Sequence, residues 1–371
     1  VLTGAVTPSV IFHDQEPLNY HQWSQEEFLT MIKKIAKEIN VNFPDQILSM
    51  FASSHLRLRT FPLCSIFEYT LLCHSEKNSS QLALYEQNKF IGVYYWAHAL
   101  IARDWFRFAE HDSSLKVVHK NFQFDFLVYN RAWTGSREYR LKFTELIVDN
   151  QLVENSNMKF SPHDDGQHYT NFEFKNKNFQ IIRYDLENIF EQNTATSSSS
   201  ADYDREDYKN CAIEVVLETL FDDLRNHLTE KTLRPIACGK PFILVSTPGS
   251  LEYLRSYGFK TFDGIINESY DTIIDPVDRL NAVIQEMKRL SLLPIEEKQV
   301  IWQKLQQIAK FNRQRFFSAD FHQQVSIEFA TNINEALKIC KANCTDKLLT
   351  LSLKYNQHLE HLNLLLGQFK K

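Results

Sequence analysis

Short apolar runs alternate with longer amphipathic stretches along most of the 371-residue chain. The runs have the length of strands, and the stretches between them carry apolar residues at helical spacing. Strand-type runs lie at 9–12, 90–95, 124–129, 212–219, 242–245 and 259–262. Helices are predicted at 24–40, 96–111 and 251–257. This alternation predicts an α/β fold with parallel sheets.

The clearest local pattern is a helix, a strand and a second helix start within 228–250. Thr229 is a suitable N-cap, and Gly239 is the residue type that commonly ends a helix. The run at 242–245 is apolar without alternation, which is typical of a parallel strand covered on both faces. Thr247 is expected to cap the next helix, with Pro248 at its first position. Ligands of such sheets bind at the carboxyl ends of strands.

The pattern changes twice further along the chain. Residues 155–210 are polar and predict loops, with a mobile connection at the serine-rich 193–201. From residue 276 onward the spacing is helical, with segments at 277–292, 295–316, 321–341 and 347–369. We therefore predict two α/β domains, at 1–123 and 124–315, followed by a helical tail at 316–371.

Composition narrows the functional class. Hydrophobic residues make up 43% and aromatic residues 13% of the chain, which is too much for a disordered protein. With a net charge of −5, the chain as a whole does not have the positive potential that attracts nucleic acid. A local basic patch is compatible with this charge. The six cysteines form no C-x-x-C pair, so we expect reduced thiols and a cytoplasmic location. No apolar run approaches the ~20 residues of a membrane span.

Two stretches combine strand ends with chemistry-bearing side chains. The first is the polar segment 13–18, which holds His13, Asp14 and Glu16 directly after a strand. Carboxylates at the end of a parallel strand are often functional, but a helix-capping loop explains the same pattern. The two interpretations stay open at this point.

The second stretch follows the predicted strand at 124–129. A loop with Gly135 leads into a helix that Thr134 or Ser136 would cap. Three arginines accompany it: Arg131, Arg137 and Arg140. Loop amides and guanidinium groups at a helix start favour a phosphate site, and the alternative is a basic surface helix. The stretch has neither the G-x-G-x-x-G spacing nor the Walker lysine, so dinucleotide binding and NTP hydrolysis are not expected.

The stretch from Thr229 to Phe242 resembles the donor-binding segment of two-domain GT-B glycosyltransferases. The shared pattern is a Thr-Glu-Lys start, a later Pro and Gly, and a Pro-aliphatic strand, and it is nearest to the fucosyltransferase type. Asn130 and Arg131, with Arg137 and Arg140, resemble the basic strand-to-helix element of that family. Segments such as 13–18 and 250–262 resemble phage proteins related to these enzymes. The resemblance covers residues 125–275 and implies two Rossmann-like domains that face a cleft, with a helical C-terminal tail.

The resemblance implies a nucleotide-sugar donor, most simply a UDP-sugar, with no tightly bound cofactor and no metal. Arg131, Arg137 and Lys231 would stabilise the leaving diphosphate. Glu230 would hold sugar or ribose hydroxyls, and Asp202 and Tyr203 would line the base pocket. The remaining donor-site candidates are Asn130, Arg140 and Thr229. Asp202 and Asp204 have D-x-D spacing but lie beside the serine run, so a metal site is not predicted.

An acceptor hydroxyl needs a general base, and Asp14 is our candidate, with Glu16 or His13 in reserve. Acceptor-binding candidates are His13, Trp96, His98 and Trp133, of which His98 is also explained by packing. The expected acceptor is 5-hydroxymethylcytosine in double-stranded phage DNA, whose base must leave the stack. A polysaccharide or glycoprotein acceptor, or a non-catalytic binding module of the same fold, are the alternatives. The oligomeric state stays open.

Overall fold

The computed structural model describes residues 9–13, 17–18, 49–52, 70–87, 90–192 and 200–343. The chain divides into two compact units. The first unit comprises residues 1–100 with 322–371, and the second comprises residues 101–321. The helices predicted at 24–40 and 347–369 lie outside the described residues.

The first unit contains a parallel four-stranded sheet. Its strands are β1 (Ser9–His13), β2 (Ser49–Ala52), β3 (Thr70–His74) and β4 (Phe90–Tyr94). They lie in the order β2-β1-β3-β4, with His13 beside His74 and His74 beside Tyr94 at the carboxyl edge. The chain adds β2 on one side of β1 and then β3 and β4 on the other, so the strand order reverses between β1 and β3. Open α/β sheets bind ligands at such a point.

The second unit contains a parallel five-stranded sheet and a short hairpin. Its strands are β5 (Phe124–Asn130), β6 (Ser156–Phe160), hairpin strands β7 (His163–Asp164) and β8 (Gln167–His168), β9 (Glu191–Gln192), β10 (Cys211–Leu217) and β11 (Phe242–Val245). The sheet order is β11-β10-β5-β6-β9, all parallel. The order reverses between β5 and β10, and it is compatible with a Rossmann-like fold.

Helices connect the strands and dominate the C-terminal part. Those between strands are α1 (Ser80–Glu86), α2 (Ala97–Trp105), α3 (Arg107–His111), α4 (Tyr139–Asp149), α5 (Leu186–Ile189), α6 (Arg205–Asn210) and α7 (Glu230–Cys238). After β11 follow α8 (Ser250–Ser256), α9 (Pro276–Ser291), α10 (Ile295–Phe317) and α11 (Ala319–Asn343). The predicted α/β class, with parallel sheets and a helical C-terminal stretch, is confirmed.

Within the first unit, α11 contributes to the core beside β3 and β4. Phe329 stacks on Tyr95 with ring centroids 4.5 Å apart. Asn332 donates a hydrogen bond to the carbonyl oxygen of Tyr94 at 2.8 Å. Leu71 and Val93 from the sheet are buried in the same cluster. An aromatic stack of this kind adds about 1 kcal/mol to the burial of the two rings.

Local sequence signals correctly predicted β10, α7 and β11. Every residue of β10 and β11 is buried, as expected for strands covered on both faces. Thr229 caps α7, since its side chain accepts from the amide of Lys231. Gly239 ends α7 in a left-handed conformation with φ of 69°. Only glycine adopts that conformation without a steric penalty from Cβ.

Four local predictions are wrong. Helix α8 begins at Ser250 after left-handed Gly249, so Thr247 is not its cap, and the Thr247 hydroxyl instead donates to the carbonyl of Arg225. Residues 259–262 form no strand. They lead into a turn that is closed by an isolated bridge between Asp263 and Ile266. The helix predicted at 96–111 is interrupted at Phe106 between α2 and α3. The polar stretch 155–210, predicted as loops, contains β6. Alternate residues of β6 are buried, but the strand is too short and too polar for its sequence to predict it.

Candidate functional site

The carboxyl edge of the second sheet gathers residues that are far apart in sequence. The loop after β5 and the loop after β10 meet at Thr219. Its carbonyl accepts from the hydroxyl of Ser136 at 3.0 Å, and its hydroxyl accepts from Lys231 Nζ at 3.3 Å. The two predicted donor-site stretches therefore adjoin one another at the point where the sheet order reverses.

Arg137 provides a cation in this region. It is partly exposed, and its Nε donates to the carbonyl of Thr134 at 3.1 Å. Within the described ranges, no carboxylate forms an ion pair with it. Gly135 lies two residues before it with φ of 68°, and a Cβ at that glycine would meet no atom of the described residues within 4 Å. As far as the described residues go, the space above Gly135 is open and the neighbouring Arg137 guanidinium has no ionic partner.

Arg131 is a second cation without an ion pair among the described residues. Its guanidinium carbon lies 4.3 Å from the ring centroid of Tyr129, and its Nη1 donates to the carbonyl of Asp202 at 3.2 Å. Burial lowers the pKa of Arg131, and the neighbouring Arg234 lowers it further. The ring orients the guanidinium by a cation–π contact.

Lys231 and Glu230 form an ion pair at the start of α7. Lys231 Nζ lies 2.6 Å from Glu230 Oε1 and 3.4 Å from the hydroxyl of Thr229. Both side chains are mostly buried, so the pair is screened less than a surface pair would be. The pair holds Lys231 toward Thr219, where the two loops meet.

Two other predicted donor-site residues make their hydrogen bonds inside the protein, while Nε of Arg140 and Oδ1 of Asn130 are buried and have no hydrogen-bond partner among the described residues. Arg140 is 2% exposed and donates to the carbonyls of Ala132 at 2.6 Å, Leu217 at 2.8 Å and Glu218 at 2.9 Å. Asn130 donates to the carbonyl of Arg140 at 3.1 Å and to the hydroxyl of Thr144 at 2.9 Å. These contacts fasten the end of β5 to the end of β10 and leave Arg140 little capacity for a ligand.

Side-chain carboxylates occupy the backbone amides that the sequence predicts as anion donors. Asp164 accepts from the amides of Trp133 and Thr134, both at 2.7 Å. Glu218 accepts from the amides of Thr229 at 2.9 Å and Thr232 at 3.2 Å, at the start of α7. Asp271 accepts from the amide of Leu251 at 3.1 Å in α8. A ligand phosphate at this edge would therefore depend chiefly on side chains and on the amides of Gly135 and Ser136.

The segment before α6 lies against Tyr129. The Tyr129 hydroxyl accepts from the amide of Asp204 at 3.3 Å and donates to Asp207 at 2.8 Å. Tyr203 lies with its ring centroid 5.4 Å from that of Tyr208, and burial raises its pKa to about 12. Asp204 caps α6 through the amide of Glu206. In the ranges searched, no three metal-ligating side chains cluster.

The first unit holds the predicted base, but Asp14 and Glu16 lie outside the described residues. His13 ends β1, and its side chain is likewise not described. Trp96 and His98 are fully buried in the first unit, as is Trp133 in the second. The Trp133 indole donates to the carbonyl of Ser161 at 2.9 Å. Buried rings present no face on which a base or sugar could stack in this conformation.

The sequence reasoning missed Arg279, which joins three loops at the carboxyl edge. It is 1% exposed and donates to the carbonyls of Ser246 at 3.1 Å, Ile273 at 2.6 Å and Ile274 at 2.9 Å, and also to Phe221. A signal was present, because Arg279 falls on the apolar stripe of α9 with Val283 and Leu290.

Protein-family models, curated proteins and solved structures were compared with this chain, and none of them matches. The glycosyltransferase resemblance therefore stays a prediction from the residues themselves. None of the described helices is long and apolar enough to cross a membrane.

Proposed function

We propose that this chain is a nucleotide-sugar-dependent glycosyltransferase, which binds the donor diphosphate at the carboxyl edge of the second sheet between β5 and β10. One observation carries the proposal. Arg131, Arg137 and Lys231 lie where the strand order reverses, and the two arginines have no ion pair in the described ranges. Cations at that position of an open α/β sheet are suited to a phosphorylated ligand.

The proposed reaction needs stabilisation of a leaving group. The bond between the sugar C1 and the β-phosphate oxygen breaks, and its electron pair stays on the phosphate. The acceptor oxygen forms the new bond to C1 and loses its proton to a base. Arg131, Arg137 and Lys231 would stabilise the charge that develops on the diphosphate. Glu230, held by Lys231, would orient a donor hydroxyl.

Asp14 is the proposed base, because it is the next residue in sequence after β1, and the strand order of the first sheet reverses beside that strand. The proposed acceptor is 5-hydroxymethylcytosine in DNA, with a polysaccharide or glycoprotein hydroxyl as the alternative. The internal hydrogen bonds of Asn130 and Arg140 support a scaffold role for both residues. The proposed donor-site side chains are then Arg131, Arg137, Lys231 and Glu230.

A second candidate is a non-catalytic anion-binding module of the same fold. The observation that favours it is the occupation of loop and helix amides by Asp164, Glu218 and Asp271. An enzyme that relies on helix-terminal amides would leave some of these donors to the substrate. The module would bind a phosphorylated ligand through Arg131 and Arg137 without turnover.

Mass spectrometry of nucleosides tests the proposal. DNA containing 5-hydroxymethylcytosine is incubated with the protein and a panel of UDP-, GDP- and CDP-sugars, then digested. A nucleoside heavier by one sugar residue is the expected product. Release of free nucleotide without an adduct supports glycosyl transfer and removes DNA as the acceptor. Nucleotide binding without either product supports the non-catalytic module.

A further inference from the structure

One carboxylate oxygen fills the inner part of the proposed anion site. Oδ2 of Asp164 accepts from the amides of Trp133 and Thr134, both at 2.7 Å, and from the Thr134 hydroxyl at 2.8 Å. Three converging donors on a single oxygen form the kind of concavity that binds a phosphate oxygen elsewhere. The chain itself therefore supplies one negative charge to this loop.

The hairpin that carries Asp164 is built to hold it there. Asp165 and Gly166 form the turn between β7 and β8, with φ of 51° and 73°. Positive φ at both central residues is characteristic of the type I′ turn that matches hairpin twist. At the base of the hairpin, the carbonyl of Ser161 accepts from the Trp133 indole at 2.9 Å. The hairpin is thus fastened to the same loop that its carboxylate enters.

The next donors along the chain stay available to a ligand. The amides of Gly135 and Ser136 have no protein acceptor in the described ranges, and Arg137 follows them. Asp164 itself forms no ion pair with a cation of that same part of the chain. Because Gly135 is the residue after Thr134, an anion bound there lies within about 7 Å of the Asp164 carboxylate.

We propose that Asp164 determines which phosphorylated ligand the site prefers, by opposing the more highly charged one. A nucleotide sugar carries one charge on each phosphate, whereas a free nucleoside diphosphate carries a second charge on its terminal phosphate above a pKa of about 6. The carboxylate repels the terminal dianion more than the sugar-bearing monoanion. It thereby favours the donor over the product. This inference rests on the proposed function.

The experiment compares affinities by isothermal titration at pH 8 and low salt. The probes are UDP with UDP-glucose and GDP with GDP-mannose. Asp164→Asn keeps the size of the side chain and removes its charge, and Asp164→Ser is the second variant should the first not fold. Asp165→Asn is the matched control. It removes the same charge one residue away, at an exposed left-handed position that asparagine tolerates.

For the pair that binds, we expect Asp164→Asn to tighten the nucleoside diphosphate about tenfold and the nucleotide sugar about threefold, as Coulomb repulsion scales with charge. Asp165→Asn should leave both affinities within about twofold, and added salt should reduce the effect. Equal changes for both ligands, or the same change in Asp165→Asn, would overturn this inference alone. If the folded wild type and variants bind no nucleotide, the proposed function fails and this inference fails with it.

Discussion

The guanidinium of Arg140 donates to the backbone carbonyl of Glu218 at 2.9 Å and so joins the first turn of α4 to the end of β10. Its other contacts are carbonyls at Ala132 and Leu217, and no carboxylate pairs with it among the described residues. Burial lowers the pKa of this arginine. A buried cation whose hydrogen bonds in the described ranges all go to backbone carbonyls has a structural role, and this one lies at the carboxyl ends of the parallel strands.

Replacement of Arg140 should destabilise the protein. Arg140→Met removes a donor from the carbonyls of Ala132, Leu217 and Glu218, of which only that of Glu218 keeps the Tyr139 hydroxyl, so we expect the free energy of unfolding to fall by about 2 kcal/mol or more. Urea unfolding measures this, with Arg137→Met as the control from the same loop. The control should lose less than about 0.5 kcal/mol, because its side chain is partly exposed. An Arg140→Met protein of wild-type stability that no longer binds nucleotide would restore Arg140 to the ligand set.

Lys240 should make stability depend on pH. Its Nζ is buried, donates to the carbonyls of Tyr208 and Cys211, and lies 4.9 Å from the ring centroid of Phe122. Burial lowers its pKa from 10.5 to about 8. Between these values the unfolded chain binds a proton that the folded chain does not. The Lys240 contribution to stability therefore rises with pH across this window, by up to about 3 kcal/mol.

Denaturant unfolding at pH 7 to 11 tests the prediction. The difference in unfolding free energy between wild type and Lys240→Met isolates this lysine from tyrosines and thiols that titrate nearby. The free energy of unfolding of the wild type should rise relative to that of the variant from pH 8 upward. Lys209→Met is the control, since Lys209 is exposed and its one ion pair among the described residues is with Glu206. If the difference in unfolding free energy between wild type and Lys240→Met does not change with pH across this window, Lys240 stays protonated in the folded protein and the prediction is wrong.

The proposed base makes a separate prediction. Asp14→Asn should lower the rate of transfer about 100-fold or more, because a positioned general base contributes at least that much. The affinity for the nucleotide should change by no more than a few-fold, since the proposed donor site lies in the second sheet. Steady-state kinetics with titration of the nucleotide checks both, and Glu86→Gln, at an exposed carboxylate of the first unit, serves as control. Unchanged turnover in Asp14→Asn would remove Asp14 from the mechanism.

The sequence was informative where a signal acts over a few residues. The sequence predicts both ends of α7 correctly, at Thr229 and Gly239. Helix capping and a left-handed φ depend on residues within a single turn of the helix. At the next helix, the sequence offers both Thr247 and Gly249 as the residue before the first turn. The helix begins after Gly249, so the prediction of Thr247 is wrong. The run at 259–262 resembled a strand in composition, but its neighbours form a turn instead of a ladder. A short apolar run does not distinguish these outcomes.

The candidate site was predictable in part. The sequence predicts basic residues after β5 and at the start of α7, and the two stretches that carry them adjoin at Thr219 through Ser136 and Lys231. The distribution of roles was not predictable, because it depends on contacts distant in sequence. Asp164 reaches the loop amides from 30 residues away. Arg140 reaches the end of β10 across 78 residues, which turns a predicted ligand residue into a structural residue.

The most direct test of the central claim is nucleotide binding to wild type and Arg137→Ala by isothermal titration. UDP, GDP and CDP are the probes, and Arg205→Ala, an exposed arginine paired with Asp112, is the control. Wild type and the control should bind one nucleotide with equal affinity. Arg137→Ala should bind it about tenfold or more weakly, as a charge-assisted hydrogen bond contributes roughly 1.5–3 kcal/mol. Equal affinity in all three proteins, or binding in none, would contradict an anion site between β5 and β10.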